Sequence, residues 1–238
     1  MKLDILAFGS HPDDVELGAG GTLAKEIALG RKVGIIDLTR GELGTRGSVA
    51  ERDKEAADAS RLLGIEFRAN LGFKDGFFIN DEKHQRELLR YIRFFKPEIV
   101  ICNAIHDRHI DHEKGSSLVS DSCFLSGLRK IESEWEGVAQ EEWRPKAVYH
   151  YIQDRYVKPD VVVDISDYMD KKMAIVKAYK SQFYNPDSAE PQTAISSKEF
   201  LEFVLARAME MGRQAGFKFA EGYTVERVAG VQSLFNLV

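Results

Sequence analysis

Short apolar runs alternate with longer amphipathic segments along this chain. The β-branched and apolar runs are of strand length and predict strands at 3–8, 32–38, 65–71, 98–102, 147–152 and 161–165. Apolar residues at helical spacing predict a helix after the first strand and further helices at 51–63, 81–95, about 112–128, 167–179 and 197–215. Because strands and helices alternate, we expect an α/β fold with a Rossmann-like, mostly parallel sheet flanked by helices.

Two segments fit this alternation poorly. Residues 129–146 are polar and glutamate-rich, which favours a solvated connection. Residues 217–238 are apolar and aromatic without a clear helical phase, and they allow both a final strand and an oligomer contact. No internal repeat interrupts the chain, so we expect a single domain over residues 1–238.

Composition narrows the functional classes. The formal net charge of -5 argues against nucleic acid as the main partner. No apolar run approaches the roughly 20 residues that cross a bilayer, and Asp4 interrupts the early apolar run, so we expect neither a membrane span nor a signal peptide. The two cysteines, Cys102 and Cys123, suit a reducing compartment, and we expect a cytoplasmic protein.

Candidate chemistry begins directly after the first predicted strand, in the sequence Gly-Ser-His-Pro-Asp-Asp-Val-Glu at 9–16. A turn at this point lies at the carboxyl edge of a parallel sheet, where α/β proteins bind ligands. Pro12 restricts the backbone of His11. Asp13 and Asp14 are neighbours whose side chains leave the backbone in different directions. One of them can therefore hold a metal while the other faces what the metal holds.

A second polar cluster follows the predicted strand 98–102, where half of the six histidines fall within 106–112. Its members are His106, Asp107, His109, Asp111 and His112. His11, Asp14 and His112 would offer Zn²⁺ two nitrogens and one oxygen and leave a position open for water, as catalytic zinc sites require. Each cluster alone also fits a solvated loop, a helix N-cap or close glycine packing. Since both follow strands of one predicted sheet, we favour the metal site.

The same residues carry a family resemblance. His-Pro-Asp-Asp-Val-Glu at 11–16 and His-Ile-Asp-His at 109–112 resemble the LmbE-like, or PIG-L, superfamily of zinc-dependent N-deacetylases, which act on N-acetylglucosamine conjugates. The resemblance covers nearly the whole chain and is strongest to the deacetylases of bacillithiol biosynthesis. Those enzymes hydrolyse N-acetylglucosaminyl malate to glucosaminyl malate and acetate. Supporting segments are 39–47, Arg52, 70–76 and 179–183. The resemblance also implies a homo-oligomer, with a hexamer as one candidate assembly.

The family pattern assigns roles around the zinc. It implies that Asp13 is the general base, and that His109 stabilises the oxyanion and protonates the departing amine. Asp111, next to His112, is well placed to orient an imidazole. His150, a single histidine in a predicted strand, has either a structural or an active-site role.

Arginines are the candidate substrate ligands. Arg52 lies in the first turn of a predicted helix, where a cation is unfavourable to the helix dipole, so a substrate oxyanion or carboxylate would explain it. Family members carry an arginine at the matching position near the metal. Arg40, Arg46 and Arg108 lie in the rim segments and are further candidates. We rank Arg52 first because a planar guanidinium suits carboxylate pairing.

Two rival functions remain open at this point. A zinc hydrolase of the same fold can act on another N-acetylglucosamine conjugate, since rim contacts choose the substrate. A non-catalytic nucleotide-binding module would use Gly18, Gly20 and Gly21, although the fingerprint G-x-G-x-x-G is absent.

Overall fold

Residues 1–237, the part of the chain that the computed structural model describes, form nine strands and six α-helices. The strands are β1 Ile5–Gly9, β2 Val33–Thr39, β3 Phe67–Phe73, β4 Ile99–Cys102, β5 Glu134–Trp135, β6 Val138–Ala139, β7 Ala147–Tyr151, β8 Val161–Asp164 and β9 Ala220–Val225. The helices are α1 Asp14–Ala28, α2 Val49–Leu63, α3 Glu82–Phe95, α4 Ile110–Ser126, α5 Met169–Val176 and α6 Lys198–Ala215. None of these helices is both long and apolar enough to cross a bilayer.

Seven strands form one sheet in the order β3-β2-β1-β4-β7-β9-β8. The pairs from β3 to β7 are parallel, whereas β9 is antiparallel to both β7 and β8. The predicted α/β fold with a mostly parallel sheet and flanking helices in a single domain is therefore confirmed.

The central strands are apolar because helices cover both faces of the sheet. Every residue of β1 and β2 is buried. Ala7 and Ile35 pack on the side of α1, α2, α5 and α6. Leu6 and Ile36 pack on the other side, where Leu88 on α3 and Leu118 on α4 join them. Parallel strands covered on both faces are expected to show such continuous apolar runs.

Sheet order also determines where the polar clusters meet. From β1 the chain adds β2 and β3 on one side, and then returns to place β4 on the other side of β1. The crevice between the carboxyl ends of β1 and β4 is thus a topological switch point, the usual ligand position in such sheets. Residues 10–14 and 103–112, which follow these two strands, lie next to each other there.

The structure differs from the sequence prediction in two segments and decides a third. Residues 129–146 are not only a connection, because β5 and β6 form a hairpin in which Trp135 stacks on Phe94 with ring centroids 4.2 Å apart. Helix α5 ends at Val176, and its predicted first turn is a 3-10 helix at Ser166–Tyr168. The last segment contributes β9, which confirms the final strand, and Val238 lies outside the described residues.

Candidate active site

The turn between β1 and α1 leaves two neighbouring carboxylates available for chemistry. Asp13 occupies the N-cap position of α1 with φ 112° and ψ -26°, yet its side chain makes no capping hydrogen bond. The Asp14 carboxylate accepts the backbone N–H of His11 at 2.9 Å. Positive φ is rare for a residue other than glycine. The capping explanation for this aspartate pair therefore does not account for Asp13.

The Asp14 carboxylate lies between an imidazole of its own cluster and an imidazole of the second cluster. Asp14 Oδ2 lies 3.4 Å from His11 Nδ1, and Asp14 Oδ1 lies 3.2 Å from His112 Nε2. Donors bonded to a tetrahedral zinc at about 2.1 Å lie about 3.4 Å from one another. Each of these two separations therefore matches that of two zinc donors, with one Asp14 oxygen facing each imidazole. The imidazole of His109 faces the same space, because its ligand atom lies within 4.8 Å of those of His11 and His112.

Carboxylates hold the far side of both imidazoles. His112 Nδ1 lies 2.6 Å from Asp107 Oδ2. His11 Nε2 lies 3.0 Å from Asp75 Oδ1 and 3.5 Å from Asp111 Oδ2. Asp111 thus lies against the imidazole of His11, while Asp107 is the acid that contacts its neighbour His112. Such partners orient metal-binding imidazoles and fix their tautomers.

Amide side chains hold the Asp14 carboxylate from behind. Gln153 Nε2 donates to Asp14 Oδ1 at 2.6 Å, and Asn103 Nδ2 donates to Asp14 Oδ2 at 3.0 Å. Asn103 is fixed in turn by the backbone N–H of Ser10, which donates to its Oδ1 at 2.8 Å. Neither amide was predicted from the sequence. Their only signal is position, since Asn103 directly follows β4 and Gln153 lies two residues after β7.

Arg52 reaches Asp13 from α2. Its Nη2 donates to Asp13 Oδ2 at 3.1 Å and to the carbonyl of Pro12 at 2.5 Å, and its Nη1 donates to the carbonyl of Gly41. Burial raises the pKa of Asp13 to about 7, and the positive charge of Arg52 opposes that rise. Asp13 is consequently balanced between its acid and its base form near neutral pH.

His109 is the N-cap residue of α4, and its ring is oriented by that position. Its Nδ1 accepts the backbone N–H of Asp111 at 3.3 Å. In the neutral ring the proton is therefore on Nε2. Burial and the charges of His11 and His112 lower the pKa of His109, which favours this neutral form.

The donor groups are strongly coupled in charge. Burial alone would lower the pKa of His112, but Asp14 and Asp107 outweigh it and raise that pKa to about 9. Burial alone would raise the pKa of Asp14, but His112 and His11 hold it well below its usual value. A metal ion that binds here must displace protons from imidazoles, since only the neutral ring is a ligand.

A cavity of about 370 Å³ opens above these groups. It is lined by His11, Asp13, Asp14, His109 and His112 together with Leu17, Leu43, Gln153, Gln182 and Ile195. Of the four candidate arginines, Arg52 and Arg108 line it. Arg40 is outside the lining and pairs with Asp53, while Arg46 is buried and donates to Ser188 Oγ at 2.9 Å. The structure therefore brings two of the four arginines to the cavity.

Two other candidates lie away from the cavity. His150 is buried behind Asn103, with Nδ1 2.8 Å from Ser116 Oγ and Nε2 3.0 Å from Glu226 Oε1. Gly18 lies on α1 against the ring of Tyr151, where a Cβ would come within 2.6 Å of the ring carbon Cγ. Packing within the protein therefore explains this glycine without a bound nucleotide.

Comparison with known proteins gives a family match across the site. The family model described as PIG-L, GlcNAc-PI de-N-acetylase, matches residues 6–123. This range runs from β1 into α4 and includes both polar clusters, at 9–16 and 106–112. Diacetylchitobiose deacetylase from Thermococcus kodakarensis is 27% identical over 228 residues, which span 92% of this chain and 81% of that protein.

Solved structures match over nearly the whole chain. The conserved protein TT1542 from Thermus thermophilus has a TM-score of 0.84 and 36% identity, with 96% of this chain and 97% of that chain covered. GalB, the 4-carboxy-2-hydroxymuconate hydratase from Pseudomonas putida, has a TM-score of 0.78 and 20% identity, with 98% and 100% covered. At that identity the second likeness shows the fold alone.

Proposed function

This chain belongs to the PIG-L family of N-deacetylases, and we propose that it removes the acetyl group of N-acetylglucosaminyl malate, with a zinc ion held by His11, Asp14 and His112. The observation that carries the proposal is the convergence of two imidazole nitrogens and a carboxylate beside the buried carboxylate of Asp13. Zinc supplies Lewis acidity and lowers the pKa of a coordinated water to about 7.

Asp13 is the proposed general base. Its carboxylate lines the cavity next to Asp14 but is held by Arg52 and not by the neighbouring imidazoles. A carboxylate whose pKa is about 7 accepts a proton from water far better than an ordinary aspartate does. The same group can then return that proton as the tetrahedral species breaks down.

His109 is the proposed hydrogen-bond donor to the developing oxyanion. Because its neutral ring has no acidic proton to give, the proton for the departing amine comes from Asp13, which took it from water. The Nδ1 of His109 is occupied by a backbone N–H, so the protonated Nε2 remains for the substrate. The ring centroid lies 4.6 Å from that of His11, on the cavity wall. A neutral imidazole in a largely buried site can stabilise the oxyanion by hydrogen bonding.

Arg108 is the proposed ligand for the malate carboxylates. Its side chain is partly exposed at the cavity wall and has one carboxylate partner, with Nε 3.2 Å from Asp154 Oδ2. The Arg52 guanidinium, in contrast, already donates to three acceptors inside the protein. An anionic substrate group therefore meets Arg108 with less loss of existing contacts.

The first experiment measures acetate release by the zinc-loaded protein. The substrates are N-acetylglucosaminyl malate, free N-acetylglucosamine and diacetylchitobiose, each with and without a chelator. Chelator-sensitive turnover of the malate conjugate alone is the expected result. Faster turnover of diacetylchitobiose would assign the protein to another conjugate of N-acetylglucosamine, the rival that the Thermococcus kodakarensis relative suggests. Absence of turnover on all three would refute the proposal.

Substitutions at two neighbouring residues test which aspartate binds zinc and which one is the general base. Asp14→Ala should lose zinc, because it removes the carboxylate that lies against both imidazoles. Asp13→Ala should keep zinc and lose turnover, because the Asp13 carboxylate contacts Arg52 and not the imidazoles. Metal content by mass spectrometry and acetate release would be measured on both. Equal zinc loss in the two variants would contradict these roles.

We also propose a homo-oligomer. The C-terminal segment after β9 leaves Val228, Leu234 and Phe235 each more than four-fifths exposed, which favours a contact with another copy. Light scattering on the purified protein tests this, and a monomer at micromolar concentration would contradict it.

A further inference from the structure

The turn that follows β3 lies against the back of His11. Asp75, in this turn, is buried, and its Oδ1 lies 3.0 Å from His11 Nε2. Its other oxygen, Oδ2, accepts the backbone N–H of Leu43 at 2.9 Å. One carboxylate therefore contacts both an imidazole of the metal site and the loop between β2 and α2.

That loop forms part of the cavity wall. Leu43, Gly44 and Thr45 all line the cavity. A second contact supports the loop from the same turn, because the backbone N–H of Asp75 donates to Glu42 Oε1 at 2.9 Å. Asp75 thus joins the cavity wall to the metal site through its side chain, whereas the side chain of Glu42 contacts only the backbone of Asp75.

We propose that Asp75 is a positioning residue. Its carboxylate orients the imidazole of His11 for metal binding and also anchors residues 41–47 of the loop between β2 and α2. The proposal rests on the zinc site of the proposed function, and it adds a second role for Asp75, the anchoring of the loop, to its contact with His11.

Hydrogen-bond chemistry explains why a carboxylate is needed. The His11 ring presents Nδ1 to Asp14 and Nε2 to Asp75. With the proton on Nε2 donated to Asp75, Nδ1 keeps its lone pair for the metal. The backbone N–H of Leu43 is also a donor, so both partners of Asp75 require an acceptor oxygen. An asparagine has one acceptor oxygen and one NH₂ group, and it cannot serve both partners.

The turn itself is fixed by α4, which makes Asp75 a rigid support. The backbone N–H of Gly76 donates to Asp111 Oδ2 at 2.7 Å, and Lys114 Nζ donates to the carbonyl of Gly76 at 2.9 Å. Asp111 thereby holds the turn that holds His11.

The experiment measures zinc affinity without substrate, by competition with a chromophoric chelator, and then KM and kcat at saturating zinc. Asp75→Asn should weaken zinc binding by about 10- to 100-fold, the usual effect of losing an imidazole's carboxylate partner, and should also raise KM. Asp75→Ala is a second variant with the same expectation, and circular dichroism verifies that each is folded.

Two matched controls separate the contributions. Glu42→Ala loosens the loop without altering the Asp75 carboxylate, so it should raise KM and leave zinc affinity unchanged. Lys74→Ala changes an exposed side chain of the same turn, whose Nζ lies over the Phe77 ring, and should alter neither quantity.

The outcomes distinguish the two proposals. Zinc binding of equal strength by the wild type and by Asp75→Asn overturns the positioning role alone. Loss of zinc affinity in Glu42→Ala equal to that in Asp75→Asn also overturns it, because the loop and not the carboxylate would then set the site. A wild type that binds no zinc would overturn both the proposed function and this inference.

Discussion

Gly41 allows the Arg52 guanidinium to reach Asp13, and replacing Gly41 tests the link between Arg52 and this proposed general base. Gly41 has φ +64°, and a Cβ there would overlap Arg52 Nη1 and come within 2.6 Å of Cζ. Gly41→Ala should therefore push the guanidinium away from Asp13, whose Oδ2 it contacts at 3.1 Å. The catalytic side chains themselves are unchanged by this substitution.

The expected magnitude follows from that one contact. A hydrogen bond to a charged group contributes about 1.5–3 kcal/mol. At about 1.36 kcal/mol for each pKa unit, its loss raises the pKa of Asp13 by about 1–2 units. Since the wild-type pKa is about 7, half of Asp13 is ionised at neutral pH. A pKa of about 8–9 would lower the ionised fraction, and with it the activity at pH 7, by about 5- to 50-fold.

The assay is the pH dependence of kcat/KM for acetate release. A group that must be ionised gives activity that rises as pH increases through its pKa, so the acid limb of Gly41→Ala should shift to higher pH, and activity should recover there. Gly72→Ala is the matched control, because Gly72 has φ +63° and a Cβ there meets nothing within 4 Å. In both variants an alanine must adopt positive φ, which costs about 1–2 kcal/mol of backbone strain. Superimposable pH profiles would refute the role of Arg52 in setting the Asp13 carboxylate.

Three further predictions concern the surroundings of the site. Asp107→Asn should weaken zinc binding by about 10- to 100-fold, measured by chelator competition, because its carboxylate lies 2.6 Å from His112 Nδ1. Gly18→Ala should lower the unfolding temperature, measured by calorimetry, because the added Cβ comes within 2.6 Å of an aromatic ring carbon of β7. Burial alone would lower the pKa of His150, but Cys102 and Glu226 raise it to about 10. That stabilisation is complete below about pH 6.5 and is lost as pH rises through about 10. Glu226→Gln should therefore destabilise the protein more at about pH 6 than above about pH 10 in urea unfolding, and an equal loss at both would contradict this.

The fold was predictable where burial imposes a simple pattern on the sequence. β1 and β2 are buried on both faces, and their continuous apolar runs indicate parallel strands at once. The β5–β6 hairpin was not predictable, because strands of two residues are too short to show an alternating pattern. Its formation depends on positive φ at Glu136 and Gly137 and on Trp135 packing against α3. Only the second of those turn residues gives a sequence signal.

In the candidate site, too, the residues that are close in sequence were predictable and those brought together by the fold were not. His11, Asp13 and Asp14 belong to one short turn, so their spacing reveals the chemistry. Asn103 and Gln153 hold Asp14 from two different strand ends, and each is a single amide without a pattern around it. The contacts of such residues depend on which strands are neighbours in the sheet. That strand order cannot be read from the sequence of one chain.

The inward position of Arg52 was missed for a related reason. Its place in the first turn of α2 correctly indicates that something must compensate the charge. The compensating groups are the Asp13 carboxylate and two backbone carbonyls, one of them from Gly41. Access to these groups depends on the absence of a side chain at Gly41, a three-dimensional condition.

The residues proposed for substrate choice lie in a different part of the molecule from the proposed metal donors. The donors follow β1 and β4, and buried side chains such as Asn103 fix them on the sheet edge. The cavity wall is instead built from loops, including Leu43 to Thr45, Arg108 and Thr193 to Ile195. Loops of this kind change without disturbing the scaffold, and the same fold also occurs in a hydratase. Under the proposed function, discrimination among N-acetylglucosamine conjugates would therefore come from rim contacts such as that of Arg108, and zinc affinity from the carboxylates and amides behind the proposed donors.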